Sequence, residues 1–164
     1  MDRPGTAWAG LIEVDGRTAM FIEVGGHQPG RLDGDDTAEA EADAEVVAQG
    51  FTQAGELGVP IMGVIGPLAV GPHDLSALAA WGRVARAATA VSGAVPVLLA
   101  VTGACHGGLT PLLGLADHVV LTRDASAYVN GPAAVAAGGG GEGEPEETSG
   151  AEGHASGNGL ATRL

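Results

Sequence analysis

The chain has 164 residues, a net charge of −13, and seven arginines but no lysine. Polyanionic partners need many cationic contacts, so this balance excludes nucleic acid and an anionic membrane surface. Hydrophobic residues reach 45% but aromatic residues only 3%, which predicts a single domain with a core of small side chains.

The one cysteine, Cys105, excludes an internal disulfide and a cysteine-based zinc site. No N-terminal stretch reads as a signal peptide and no run reaches membrane-spanning length, so the expected location is cytoplasmic.

In chain order, residues 1–9 read as a lead-in. Leu11–Val14 and Thr18–Val24 are β-branched, apolar runs joined by Asp15-Gly16-Arg17, a hairpin signal. Residues 25–36 form a loop rich in glycine and acid. A helix is predicted from about Asp36 to Gly58, with Asp36 or Thr37 as cap and Glu39 completing a capping box. Ala44, Val47, Ala48, Phe51 and Ala54 recur at helical spacing and define its inner face. Val59–Ile65 reads as a buried strand, and residues 66–72 as a loop. A second helix is predicted from Asp74 to Ser92, with Leu75, Leu78, Ala79, Gly82 and Ala85 on one face.

Val97–Val101 is an apolar run between Pro96 and Gly103, the pattern of a strand buried on both faces. A small-residue loop follows, Gly103-Ala104-Cys105-His106-Gly107-Gly108, then a short helix-like stretch over Leu109–Ala116. Paired glycines between a strand and a helix leave bare N–H groups at a positive helix end. Such a site can hold an oxyanion forming on a bound carbonyl. Asp117–Thr122 is a further strand, Tyr128-Val129 a short one, and Pro132–Ala137 a last helical turn. From residue 138 onward glycine and glutamate dominate, which predicts a disordered tail over 138–164. Residues 1–137 form the folded domain.

Several ordered segments resemble the carboxyltransferase domain of biotin-dependent acyl-CoA carboxylases, in the crotonase superfamily. Val59-Pro60-Ile61-Met62-Gly63-Val64 resembles the family's "VP-apolar-apolar-G" strand, and Ser92-Gly93-Ala94-Val95-Pro96 its "SG-x-VP" helix exit. Gly103 to Gly108, ending in Ala116-Asp117, is similar in spacing to "GPCAGG…(A/T)D". Ser126-Ala127-Tyr128-Val129 with Gly131-Pro132 resembles "TSYMFVTGP". Glu152-Gly153, His154 and Ser156-Gly157 resemble "GGA-x-x-H-x-x-x-SG".

The resemblance implies an α/β fold of the crotonase-like ββα spiral, assembled into trimers or larger homo-oligomers, or into a complex with other carboxylase subunits. It implies an acyl-CoA or carrier-protein thioester as substrate, no directly bound cofactor or metal, and carboxybiotin on a carrier protein as carboxyl donor. In that family backbone amides form two oxyanion holes. Gly107 and Gly108 match the glycine pair of one. The other lies after the preceding strand, where Gly66, Leu68 and Ala69, with Gly103 and Ala104 opposite, are the expected substrate contacts. There the family's "DSGGAR" is replaced by Gly66-Pro67-Leu68-Ala69-Val70, and Pro67 has no N–H to give.

His106 is a candidate acid for an enolate or a contact for a carboxylate, against a loop histidine without a role. Cys105 reads as a buried small residue rather than a nucleophile, since no base is paired with it. Asp74 reads as a helix cap beside His73. His27, Arg31, Asp33, Asp35 and Asp36 lack the glycine and terminal glutamate of a calcium loop and read as a solvated acidic loop. Two functions follow as expectations. One is a subunit that transfers or releases the carboxyl group of an acyl or malonyl thioester. The other is a non-catalytic crotonase-fold scaffold that completes a partner's site.

Overall fold

The structure, a computed structural model, describes residues 6–25, 37–70, 75–129 and 150–163. Strands β1 (Trp8–Val14) and β2 (Arg17–Val24) form the expected hairpin. Asp15 (φ 49°) and Gly16 (φ 74°) are both left-handed, as a two-residue turn matched to strand twist demands. The hairpin begins three residues before the expected run. Thr6 and Ala7 are tied down too, donating to the buried carboxylate of Asp43 at 3.0 and 2.6 Å.

Helix α1 (Thr37–Leu57) buries Ala44, Val47, Phe51 and Ala54 as expected. Its caps at Asp36 and Asp74's cap on the next helix lie outside the described residues. Gly58 (φ 66°) ends α1, with Gly58 N–H bonded to Gly55 O and Val59 N–H to Ala54 O. That paired arrangement satisfies carbonyls which the helix end would otherwise leave bare.

Helix α2 (Leu75–Val91) buries Ala77, Ala80, Trp81, Val84, Ala88 and Val91. The expected face of Leu75, Leu78, Ala79, Gly82 and Ala85 is not the inner one, and Leu75 is 79% exposed. The stripe through Trp81 and the valines offers more apolar surface to bury than the alanine-rich one, and packing follows area.

Strands β3 (Ile61–Ile65), β5 (Val97–Val101), β7 (His118–Leu121) and β9 (Thr162–Arg163) extend the hairpin into a six-stranded sheet, ordered β1-β2-β3-β5-β7-β9. All pairings after the hairpin are parallel. Both helices pack on one face, where Met20, Ile22, Ile61, Ile65, Val97, Leu99, Val119 and Leu121 meet Val47, Phe51, Trp81 and Val84 in the core. The Leu99 side chain fills the space over its ladder partner Gly63, where a Cβ would lie 2.5 Å from Leu99 Cδ2. The expectation that Val97–Val101 is buried on both faces is corrected: Leu98 is 39% exposed on the helix-free side.

A second sheet was not foreseen. Strands β4 (Leu68–Val70), β6 (Ala104–Gly107) and β8 (Ser126–Tyr128) form it, all parallel, with β6 in the middle. Each follows directly on a strand of the large sheet, so the chain runs β3-β4-α2, then β5-β6 and a turn, then β7-β8. This is the repeating ββα unit of the expected spiral. Both segments read as loops, 66–72 and 103–108, are therefore partly strand.

The end of the chain also departs from expectation. Residues 150–163, placed within a disordered tail, instead join the fold. Gly153–Gly157 makes a π-helical turn and Thr162–Arg163 pairs with β7. His154 is the anchor: its Nε2–H donates to Ala127 O at 3.1 Å, and its Nδ1 accepts from Asn158 Nδ2 at 3.0 Å. Asn158 Oδ1 in turn accepts from Leu160 N–H. One buried imidazole thus replaces the apolar surface the segment lacks. The expected turn over Pro132–Ala137 and the rest of the glycine-glutamate stretch lie outside the described residues.

Candidate functional site

Strand β3 ends at Ile65, and the next residue, Gly66, donates its N–H to Val24 O at 2.9 Å. Pro67 turns the chain into β4. Strand β5 ends at Val101, Thr102 N–H donates to Ile65 O at 2.8 Å, and Gly103 turns the chain into β6. The two turns interlock, since a Cβ on Gly103 would sit 2.6 Å from Pro67 Cγ. The parallel ladder then pairs Leu68 with Cys105, Ala69 with His106, and Val70 with Gly107. All eight residues singled out from the sequence, Gly66, Leu68, Ala69, Gly103, Ala104, His106, Gly107 and Gly108, therefore converge on one junction.

The ladder decides where the amides point. Ser126 N–H donates to Gly103 O at 3.2 Å. Successive residues of a middle strand bond alternate neighbours. Cys105 and Gly107 accordingly turn their amides to β8, and Ala104 and His106 theirs to β4. Gly107 is thus a strand residue, not a loop residue, and its N–H faces the sheet. On β4 the same alternation turns the Ala69 N–H away from β6, toward the sheet edge. Gly107 has φ 82°, a conformation that glycine adopts without strain. It takes the chain out of β6, and half-buried Gly108 opens the turn that follows.

What comes next is a six-residue 3₁₀ segment, Thr110–Leu115, with Pro111 in its first turn, rather than an α-helix. Its first carbonyl-to-amide bond is Leu109 O to Leu112 N–H. Thr110 binds the segment to the small sheet by donating Oγ1 to Tyr128 O at 2.7 Å.

His106 lies on the middle strand with its ring edge against Tyr128, centroids 4.8 Å apart and planes at 79°. Burial lowers its pKa below the ordinary imidazole value, because the cation loses hydration. Its Nε2 is enclosed and has no hydrogen-bond partner. Cys105, on the opposite side of the strand, is fully buried. Burial raises its thiol from 9.0 to about 11, partly offset by the Thr110 hydroxyl. It has the inert character of a structural cysteine. Among the described residues no group of three or more His, Cys, Asp or Glu is placed to hold a metal ion, and no helix is long and apolar enough to cross a membrane.

The spatial roles of Tyr128, Thr110 and His154 were not read from the sequence as parts of this site. The signal for Tyr128 and His154 was present in the resembling segments around each. For Thr110 only its hydrogen bond to Tyr128 O on the small sheet reveals it.

Comparison with known proteins agrees with this architecture. The model of the carboxyl transferase domain family matches residues 35–164. The carboxyltransferase subunit of propionyl-CoA carboxylase from Haloferax mediterranei is 30% identical over 156 residues, covering 91% of this chain and 28% of that protein. The methylmalonyl-CoA carboxyltransferase 12S subunit of Propionibacterium freudenreichii subsp. shermanii is 28% identical over 82 residues, covering 50% of this chain and 16% of that protein. This chain therefore spans less than a third of either relative. Among solved structures, the transcarboxylase 12S hexamer superposes with a TM-score of 0.78 at 22% identity, covering 96% of this chain and 30% of that one. The Pseudomonas malonate decarboxylase MdcD–MdcE heterodimer gives 0.76 at 24% identity, covering 96% of this chain and 69% of that one. These likenesses establish the crotonase-like fold. With the match extending over most of its length, the chain belongs to the carboxyl transferase domain family.

Proposed function

We propose that this chain acts on an acyl or malonyl thioester, transferring or releasing its carboxyl group. The reading is carried by one observation: β4 and β6 end side by side, and the chain leaves β6 through a left-handed glycine into a half-buried turn. In the release direction the bond from Cα to the carboxyl carbon breaks, CO₂ departs, and the electron pair moves onto the thioester oxygen. A proton then returns to Cα. The chemistry needs no side-chain nucleophile. It needs a hydrogen-bond donor fixed at the oxygen that becomes negative, worth about 3 kcal/mol of barrier.

We assign that donor to the backbone at the Gly107–Gly108 turn, with the Gly108 amide as the group that matters. His106, beside the turn, is the assigned acid or carboxylate contact. Gly66, Leu68, Ala69, Gly103 and Ala104 line the approach of the acyl chain. Where the reaction is transfer, carboxybiotin on a carrier protein arrives as co-substrate. The chain works in the cytoplasm as a homo-oligomer or beside other carboxylase subunits.

A second reading has its own support. Pro67 occupies the opposing turn, lacks an N–H, and fills the space over Gly103. A site with one donor set removed suits a scaffold that completes a partner's centre.

The two separate cleanly. Purified chain is incubated with malonyl- and methylmalonyl-CoA, and CO₂ release is followed, alone and with carboxylase subunits. Turnover by the chain alone supports the first reading. Activity only in a partner, lost when this chain is omitted, supports the second. No turnover in either setting sinks the first.

A further inference from the structure

Helices α1 and α2 lie side by side on the sheet. Val91 of α2 fills the space over Gly55 of α1, where a Cβ would lie 2.7 Å from Val91 Cγ1. On the solvent side the pair leaves a groove of about 670 Å³. Its floor is alanine, Ala48 from α1 with Ala87 and Ala90 from α2. Its rims differ in chemistry. Glu45, Gln49 and Glu56 form the α1 rim, Arg83 and Arg86 the α2 rim, and all five are exposed. Spacings of three, four and seven put each set on one side of its helix.

The charges here are sorted, not neutralised. The chain has seven bases against twenty acids, yet two bases stand together on this rim. Among the described residues neither arginine is held in an ion pair or hydrogen bond. Glu45 takes its hydrogen bond from Gln49 on its own helix, at 2.8 Å, and not from across the groove. Long side chains commonly lie over an apolar seam and close it. Alanines keep this one open, and they let a third helix come close, since interaxial distance follows the side chains at the contact.

An acidic row, an apolar floor and a basic row are the negative of an amphipathic helix whose stripe is flanked by charge. From Glu45 to Glu56 is about 16 Å along the axis, a seat for about three helical turns. A polyanion or an anionic surface would meet the glutamates, so neither fits. Among the described residues both long helices of this chain already spend their apolar stripes on the sheet, which leaves no such helix for a second copy to offer. We propose that the groove seats an amphipathic helix of another protein, with its apolar stripe on the alanines, bases against α1 and acids against α2. The groove shares no residue with the Gly107–Gly108 junction, so the proposal stands apart from the catalytic reading.

Fluorescence anisotropy tests it, using the full chain and two synthetic stapled helices of about four turns, about 14 residues each. Both carry the same leucine-alanine stripe. The mixed peptide flanks it with a lysine row and a glutamate row, the other with lysine on both sides. Salt is about 0.15 M, where a Debye length of about 8 Å screens the rest of the acidic surface. Wild type is expected to bind the mixed peptide saturably below about 500 µM, the regime of a small polar-rimmed contact. It should prefer that peptide at least about threefold over the all-lysine one. Arg83→Glu/Arg86→Glu, with far-UV circular dichroism unchanged, should weaken the mixed peptide about tenfold and reverse the preference, because both rims are then acidic. Absence of saturable binding by the mixed peptide overturns the proposal. So does an affinity that the double substitution leaves intact, or a preference that does not reverse. Self-association in sedimentation velocity that the double substitution abolishes would give the groove to a second copy and overturn it too.

Discussion

Val97 and Asp117 hold each other twice: Val97 N–H donates to Asp117 Oδ2 at 2.8 Å, and Asp117 N–H returns a bond to Val97 O at 2.9 Å. The aspartate closes the ladder where β5 and β7 begin, at the foot of the strand that feeds the junction. Asp117→Ala leaves the Val97 amide without its carboxylate. We expect a loss of about 1–2 kcal/mol in urea unfolding. Asp117→Asn, which keeps an acceptor oxygen, should lose less than half as much.

His154 should be the most sensitive polar position near the chain end. Replacing it with alanine strands Ala127 O and Asn158 together and opens a cavity beside β8. A cost of about 2–3 kcal/mol follows from the buried unsatisfied carbonyl and lost packing. Limited proteolysis should then cut between residues 150 and 163 much faster than in wild type. Equal cutting rates would contradict the anchoring role.

The thiol of Cys105 gives a pH test. Its pKa rises from 9.0 to about 11 on folding, so the unfolded chain releases the proton first. Stability contributed by the neutral thiol is complete below pH 9 and is lost as pH rises from 9 toward 11. Alkylation at pH 8 should run at least about 100-fold slower in the native chain than in urea, from the thiolate fraction alone. Thr110→Ala removes the hydroxyl that offsets the shift and should slow alkylation further, provided the fold is retained.

Burial of His106 acts in the opposite direction on the acid side. Its pKa is lowered from 6.5, so below pH 6.5 the unfolded chain takes up a proton that the folded chain resists. Stability is therefore unaffected above 6.5 and falls as pH drops through that value. His106→Gln cannot be protonated, and its denaturation midpoint should vary less between pH 7 and pH 5. A wild-type-like slope in that variant would place the acid sensitivity elsewhere.

Two substitutions at Gly108 probe the assigned donor. Gly108→Pro deletes the N–H and should lower turnover about 100-fold or more, the usual loss for one oxyanion donor. Gly108→Ala keeps the N–H and should retain most of the activity. Circular dichroism and thermal midpoints of both variants separate a lost donor from a lost fold. Equal activity of the two would remove the amide from the mechanism.

Much of the architecture was legible in the residues. The Asp15-Gly16 turn, the inner stripe of α1 and the β-branched runs of β3, β5 and β7 carry periodicities that only one element satisfies. The small sheet was not legible. Leu68–Val70 and Ala104–Gly107 are three- and four-residue strands, too short to show alternation and rich in residues that read as turn. They are strands only because the long strands before them deliver them side by side. The inner face of α2 was misread because alanines occupy both candidate stripes, and only the bulk of Trp81 breaks the tie. The order in 150–163 hangs on hydrogen bonds of His154 and Asn158, which composition cannot reveal. At the junction, glycine spacing located the right turn, but which amides the ladder consumes depends on pairing parity, a property of three strands at once.

The interlock of Pro67 with Gly103 couples two positions 36 residues apart in sequence into a single evolutionary choice. While proline holds 67, anything larger than glycine at 103 collides with the ring. A lineage that regained an N–H at 67 would simultaneously relax its neighbour across the gap. Chains of this type should thus exchange the two residues in concert, and a lone change at 103 should be the rarest of histories.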